Sequence, residues 1–171
     1  MLVVELGATI GTVTGRPFAP VDGWGPTRPA DVLAFALVIL GSLVLAAYPR
    51  FPLAVSTIAT ASYIVFALRD HELGMFLPPM VVALTLAARP ARRLRLAAIA
   101  CAGASLAAGL VWVSHRAEPI EEPGVALLVR VAFGVVLAVF FLAPLLLGEI
   151  VRLRSAARCL ARTGPRSAPA H

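Results

Sequence analysis

The sequence predicts an all-α integral membrane protein: a bundle of about five transmembrane helices, with the N-terminus outside and the C-terminus in the cytoplasm. Three observations carry this prediction. Between Val32 and Ile150 the chain runs through five apolar stretches, and nearly every Arg, Asp and Glu falls in the gaps between them. Of the 171 residues, 60% are hydrophobic and 14% charged, with mean hydropathy +0.90; soluble domains average roughly 45–50% apolar and about 25% charged. A core that apolar outgrows the surface available to cover it in water, but not in a bilayer, where the solvent is itself apolar. Finally, the arginines divide unevenly between the two sides that alternating spans define.

Residues 1–30 read as an extracytoplasmic segment. Its first part, MLVVELGATIGTVT, is mildly apolar but short and interrupted by Glu5. With no basic region ahead of it, it does not read as a signal peptide. Residues 15–30 are rich in Pro and Gly and predict a loop, in which Trp24 suits a membrane–water interface.

Residues 31–154 form the predicted transmembrane domain. The first span, 32–48, follows Asp31, a natural N-cap, and ends at the Pro49-Arg50-Phe51-Pro52 turn, where the prolines forbid continued helix. The second, 52–68, places Pro52 in the first turn, where its missing N–H costs nothing. Ser56, Thr57, Thr60 and Ser62 can bond their own helix carbonyls or a neighbour.

The third span, 73–88, carries Pro78-Pro79 near its start. A regular helix beginning at Pro79 is too short to cross about 30 Å of hydrocarbon at about 1.5 Å per residue. A crossing there needs the irregular lead-in Gly74–Pro78 or a locally thinned bilayer. The fourth, 96–113, repeats Ala100, Ala104 and Ala108 every four residues, and Ser105 with Gly109 likewise. Such small-residue faces let helices approach closely, and we expect them to pack within the bundle ahead of dimerising. Trp112 again sits at an interface position. The fifth, 125–150, contains Pro144, predicted to kink the helix and a candidate hinge. Residues 155–171 form a basic, partly disordered cytoplasmic tail.

Alternating spans put ten arginines on the side of Arg50, the Arg89–Arg95 loop and the tail, and four on the other; Arg130, inside the fifth span, is the fifteenth. Eight of the nine acidic residues lie on the arginine-poor side, all but Glu149. The positive-inside rule then sets the orientation, and the arginine split alone is its warrant. The net charge of +6 does not indicate nucleic-acid binding, because the arginines sit at span ends and no nucleic-acid motif accompanies them. All 15 basic residues are Arg, which with the abundance of Ala, Gly, Pro and Val reads as the coding bias of a GC-rich bacterial genome.

Arg130 is the one intramembrane charge and is by default a functional candidate. It lies about one and a half turns from the outer end, within snorkelling reach of Glu121 or Glu122. Glu149 and Arg152 are spaced for a juxtamembrane i, i+3 pair. Asp70-His71-Glu72 are consecutive in a loop and cannot all face one ion, and His115 beside Glu118 is no stronger, so no metal site is assigned. Cys101 and Cys159 provide neither a zinc site nor a disulfide framework. No nucleophile elbow, HExxH or phosphate loop is present, and no cofactor is expected. Transport is disfavoured by the lack of paired acids within the spans and of an internal repeat.

The order DVLAFALVILGSLVLAAYPRFPLAV, then LPPMVVALTLAARPARRLRLAAIA, then a long last helix ending LLLGEIVRLRSAARCLA resembles the N-terminal membrane domain of actinobacterial sensor histidine kinases, over roughly residues 32–161. The resemblance rests on helix order and short loops. It implies a sensor module ending before the dimerisation domain with its phosphoacceptor His and before the ATPase domain, as in a truncated or frameshifted kinase, and hence no enzyme activity. It implies that residues 1–13 are the stub of a further helix. It also implies a homodimer, or a heterodimer with a full-length sensor kinase, in the bacterial plasma membrane. The competing expectations are a small membrane protein of structural or interaction type and, behind it, a transporter subunit.

Overall fold

The computed structural model describes residues 21–25, 28, 30–71 and 75–162, with side chains as far as residue 159. The expectations for residues 1–20, Glu72, the 73–74 start of the third span and residues 163–171 lie outside the described residues. What is described is all-helical, with no strand. The helices are α1 (Val32–Leu43), prolonged by a 3₁₀ turn at Val44–Ala47, then α2 (Pro52–Leu68), α3 (Leu77–Ala87), α4 (Arg92–Arg116) and α5 (Pro123–Arg162).

The boundaries follow local chemistry. The Asp31 carboxylate accepts the Ala34 N–H at 2.9 Å and starts α1. Pro52 stands at the first turn of α2, and Asp70 closes that helix in the left-handed region, at φ 58, which Asp tolerates better than most residues. Prolines at the opening positions of α3 begin it at Leu77. The helix there is therefore 11 residues, about 17 Å long, shorter than the 73–88 span expected. α4 outruns its expected bounds at both ends, taking in Arg92, Arg93 and Arg95 below and His115 and Arg116 above. α5 continues unbroken through Pro144 to Arg162, so the first half of the expected tail is helix.

Two helices, α4 and α5, are long and apolar enough to cross a membrane; α1 with its 3₁₀ turn, α2 and α3 are apolar but shorter. The short α3 is the keystone. It packs against α2, α4 and α5, whereas α1 packs chiefly on α2. Val82, Ala83 and Leu86 of α3 are completely buried. On α5 the buried positions are Ala126, Val129, Leu137, Phe141, Pro144 and Gly148, a stripe at three- and four-residue spacing that faces the bundle. The stripe ends in close contact: a Cβ on Gly148 would collide with the Leu84 carbonyl oxygen and the Ala87 Cβ of α3 at 2.6 Å each.

Candidate functional site

The helices bring polar groups together at the two ends of the bundle. At the end holding residues 21–25, 28, 30 and 31, the 69–71 turn and the α4–α5 connection, called the outer end after the orientation expected from the sequence, the turn at 21–25 is tied down by backbone. The Gly25 N–H donates to the Arg116 carbonyl at 2.9 Å, and the Arg28 N–H to the Asp70 carbonyl at 2.9 Å. Trp24 stacks on Phe133 of α5 (5.4 Å between centroids) and meets Trp112 of α4 edge-on (5.8 Å). The Arg116 guanidinium lies over both indoles, at 6.0 and 5.5 Å, and the residue is buried. Cation–π contact and desolvated packing together hold this cap.

Beside it is a second cluster. The Asp31 carboxylate accepts a hydrogen bond from Arg69 Nη2 at 3.0 Å, with Arg28 Nη2 at 3.6 Å and His71 Nε2 at 3.7 Å. The Ala34 N–H, and behind it Arg69, hold the Asp31 carboxyl below the usual carboxylate range. His71 is 2% exposed and its ring tilts against Phe66 at 5.1 Å. Burial pushes the imidazole below its ordinary pKa; the Arg28 backbone and the Asp31 carboxylate pull it upward, while the Arg69 and Arg28 charges push it down. An open cleft of about 600 Å³ adjoins the cap, lined by Asp22, Pro119, Ile120, Glu121, Glu122 and Val125 among others.

The opposite, inner end is built differently. Glu149 of α5 accepts two hydrogen bonds from Arg152, at 2.8 and 2.6 Å, and has Arg95 of α4 at 3.7 Å. Arg89 lies over the Tyr48 ring at 5.9 Å. A cleft of about 190 Å³ opens beside the acid, lined by Ala87, Arg95, Ile99, Leu145, Leu146 and Glu149.

The residues singled out in the sequence distribute as follows. Glu121 and Glu122 line the outer cleft. Arg130 is exposed on α5 and makes no ion pair with either glutamate among the described residues; it falls one residue beyond the buried Val129, on the outward face of the stripe. Pro144 is buried against the bundle. The small residues of α4 divide: Ser105, Ala108 and Gly109 are buried, Ala100 and Ala104 exposed. The buried line runs Ala98–Ala102–Ser105–Gly109–Trp112, whereas Ala100 and Ala104 flank an open groove of about 250 Å³ with Thr57 and Ile64 of α2. Glu149 and Arg152 pair as their spacing predicts.

Sequence reasoning missed the Asp31–Arg69–His71 cluster, which joins residues up to 40 positions apart in sequence through a left-handed turn no motif announces. It also missed the burial of Arg116, for which the nearby tryptophans were the available signal. No metal-binding group of three or more His, Cys, Asp or Glu occurs among the described residues. No protein-family model, curated protein or solved structure matches the chain.

Proposed function

We propose that the chain is a membrane-embedded signalling module of the bacterial plasma membrane: a five-span bundle, outer end extracytoplasmic and inner end cytoplasmic, that passes a change at the outer cleft to the cytoplasm along α5. One observation carries this reading. α5 contributes Val125 to the outer cleft and Glu149 and Arg152 to the inner cluster, and it continues to Arg162. Its 40 residues make a rod about 60 Å long, well beyond the about 30 Å of a hydrocarbon core. A rigid helix touching both ends moves both when it shifts, tilts or rotates. Pro144, which lacks the N–H that would close its turn, is the natural place for such a rod to bend.

The membrane placement draws support from α4 and α5 as candidate spans and from exposed Leu40, Leu43, Val65, Ile99, Leu128 and Val139 spread over four helices, an apolar surface that water does not favour. The third crossing needs Met75 and Phe76 ahead of α3 together with a locally thinned bilayer, since α3 alone is too short. A partner copy, or a sensor kinase of the resembled type, would receive the movement where α5 emerges. The interaction-type reading draws on the groove at Ala100 and Ala104, whose small side chains would admit a neighbouring helix.

Orientation is tested by a membrane-impermeant maleimide on Cys159 and, separately, on Ser114→Cys. Opposite-sided labelling is expected; same-sided labelling would overturn the five-span topology. Transmission is tested with nitroxides on Cys159 and Arg92→Cys in a Cys101→Ala background. Substituting Glu121 and Glu122 by Gln should shift the distance distribution between them. An unchanged distribution would sink the signalling reading and leave the interaction-type protein.

A further inference from the structure

The inner end carries far more positive charge than its own acids neutralise. Arg50, Arg89, Arg92, Arg93, Arg95, Arg152, Arg154 and Arg158 gather there against a single carboxylate, Glu149. Three of these arginines occupy the first turn of α4, which no side chain caps. That turn already bears the positive end of the helix dipole and unsatisfied N–H groups, so the arginines add charge where a helix least welcomes it. The arrangement leaves a surplus of positive charge at this end that would favour an anion.

The cleft between α3, α4 and α5 shows where one fits. Its mouth holds Arg95, whose Nε is buried and has no hydrogen-bond partner. Glu149 pairs with Arg95 only through Nη1, at 3.7 Å, while its two short bonds go to Arg152, so the Arg95 Nε side stays open. The remaining walls, Ala87, Ile99, Leu145 and Leu146, are apolar, and Ile99 and Leu146 are exposed along the side of the bundle. The cleft thus offers the Arg95 cation, with Glu149 beside it, and a hydrocarbon-lined flank; the surrounding arginines leave the net charge positive. Free phosphate would use only the first of these features. A fatty acyl chain below an anionic headgroup uses both.

We propose that this cleft is a binding site for an anionic phospholipid, with the headgroup phosphate on Arg95 and the first turn of α4 and an acyl chain along Ile99, Leu145 and Leu146. The proposal rests on the membrane reading above, and it gives the module a means of sensing leaflet composition where α4 meets α5. Basic pockets between helices at the cytoplasmic surface are suited to such lipids.

The test uses the full chain, purified in detergent, with phosphatidylglycerol, phosphatidylcholine and inorganic phosphate as separate additions, read by native mass spectrometry and by the unfolding midpoint. Phosphatidylglycerol should bind and raise the midpoint; phosphatidylcholine and inorganic phosphate should do neither. Arg95→Gln should weaken phosphatidylglycerol binding about tenfold or more, the loss expected for a charge-assisted hydrogen bond. Arg154→Gln, which removes an equal charge from the same end, should cost about fivefold at most. Leu146→Trp closes the cleft with every charge retained and should match Arg95→Gln, so a misfolded Arg95 variant does not end the test.

Equal losses at Arg95 and Arg154 would overturn the site in favour of general surface attraction. An equal response to phosphatidylcholine, or a response to inorganic phosphate, would overturn the anionic-lipid assignment. Release of the chain from membranes by alkaline carbonate would overturn the membrane reading itself. Retention without phosphatidylglycerol preference would overturn this proposal alone.

Discussion

The two ends of the bundle solve the same problem, how to place charge at the rim of an apolar body, in opposite ways. The outer end folds its cations in: Arg116 is buried under two indoles and Arg69 reaches Asp31, with backbone hydrogen bonds from Gly25 and Arg28 closing the turn over them. The inner end holds most of its arginines outward around one acid. A structure that satisfies its own charges is self-contained and gains stability from them. One that leaves a surplus of positive charge is suited to meet an anion, which in the proposed setting is the lipid headgroup. The outer end should therefore answer to core packing and to pH, the inner end to lipid and salt.

Removing the centre of the outer cap gives the largest expected effect. Trp112 is 2% exposed and touches Trp24 and Arg116. Trp112→Ala should lower stability by about 3 kcal/mol through the cavity and lost contacts, seen as an earlier midpoint in denaturant titration of the detergent-solubilised chain. A loss no greater than that of an exposed α5 residue such as Leu128→Ala would mean that the cap is not a structural centre.

Next comes a close helix contact of the inner half. Gly148→Ala pushes a methyl into the Leu84 carbonyl and the Ala87 side chain. Backbone yields little, and overpacking of this kind costs about 1–3 kcal/mol. Gly103→Ala is the matched control: nothing lies within 4 Å of a Cβ there, so the same change should stabilise α4 by up to about 1 kcal/mol through helix propensity. Effects of equal sign would contradict the packing of α5 on α3.

These contacts also mark how far the sequence could be read. Helix existence was legible nearly everywhere, because apolar runs, Pro52 and the Asp31 cap act locally. Start and stop positions were harder to read, because helix propensity and tertiary contacts set them as much as hydropathy does. α4 extends over Arg92–Arg95 because arginines are good helix formers, although hydropathy alone had put them in a loop. The small residues of α4 announced close packing, yet of those singled out Ser105, Ala108 and Gly109 turn inward while Ala100 and Ala104 do not, and Ala98 and Ala102 take their place in the buried line. Alanine every fourth residue marks a stripe without naming its partner, and the partner is fixed by Tyr63 and Leu137, which crowd Gly109. At the candidate site the Glu149–Arg152 pair was readable from its spacing, whereas Glu121 and Glu122, expected as partners of Arg130, line the cleft beside Val125 instead. The burial of His71 was not, since it depends on Phe66 and on a turn closed by Arg28.

That histidine provides the third test, specific to the outer end. Its pKa lies below the ordinary value because the ring is buried. As pH falls below about 6.5, the unfolded chain takes up a proton that the folded chain refuses. The stability His71 provides is therefore complete above that pH and is lost progressively on acidification. His71→Gln should flatten the decline between pH 6.5 and 5 in an unfolding-midpoint series. Asp31, whose carboxyl is held below its usual range, keeps its contribution until the pH falls under about 3.9, so the two windows stay separate. An unaltered decline in the His71 variant would assign the acid response elsewhere.

The smallest stability effect is expected at the inner end. Glu149→Gln breaks the two bonds from Arg152 and the longer contact with Arg95, yet all three side chains are roughly a quarter to a third exposed. Exposed ion pairs contribute little to folding, because water and salt already screen them. The unfolding midpoint should stay within the scatter of the unaltered chain. The same substitution removes the one acid from a ring of arginines, so the pull on an anionic headgroup should rise and phosphatidylglycerol should bind more tightly, most clearly at low salt. A variant that unfolds early with lipid affinity unchanged would mean that Glu149 is a structural brace, and that the inner end, like the outer, spends its charges on holding itself together.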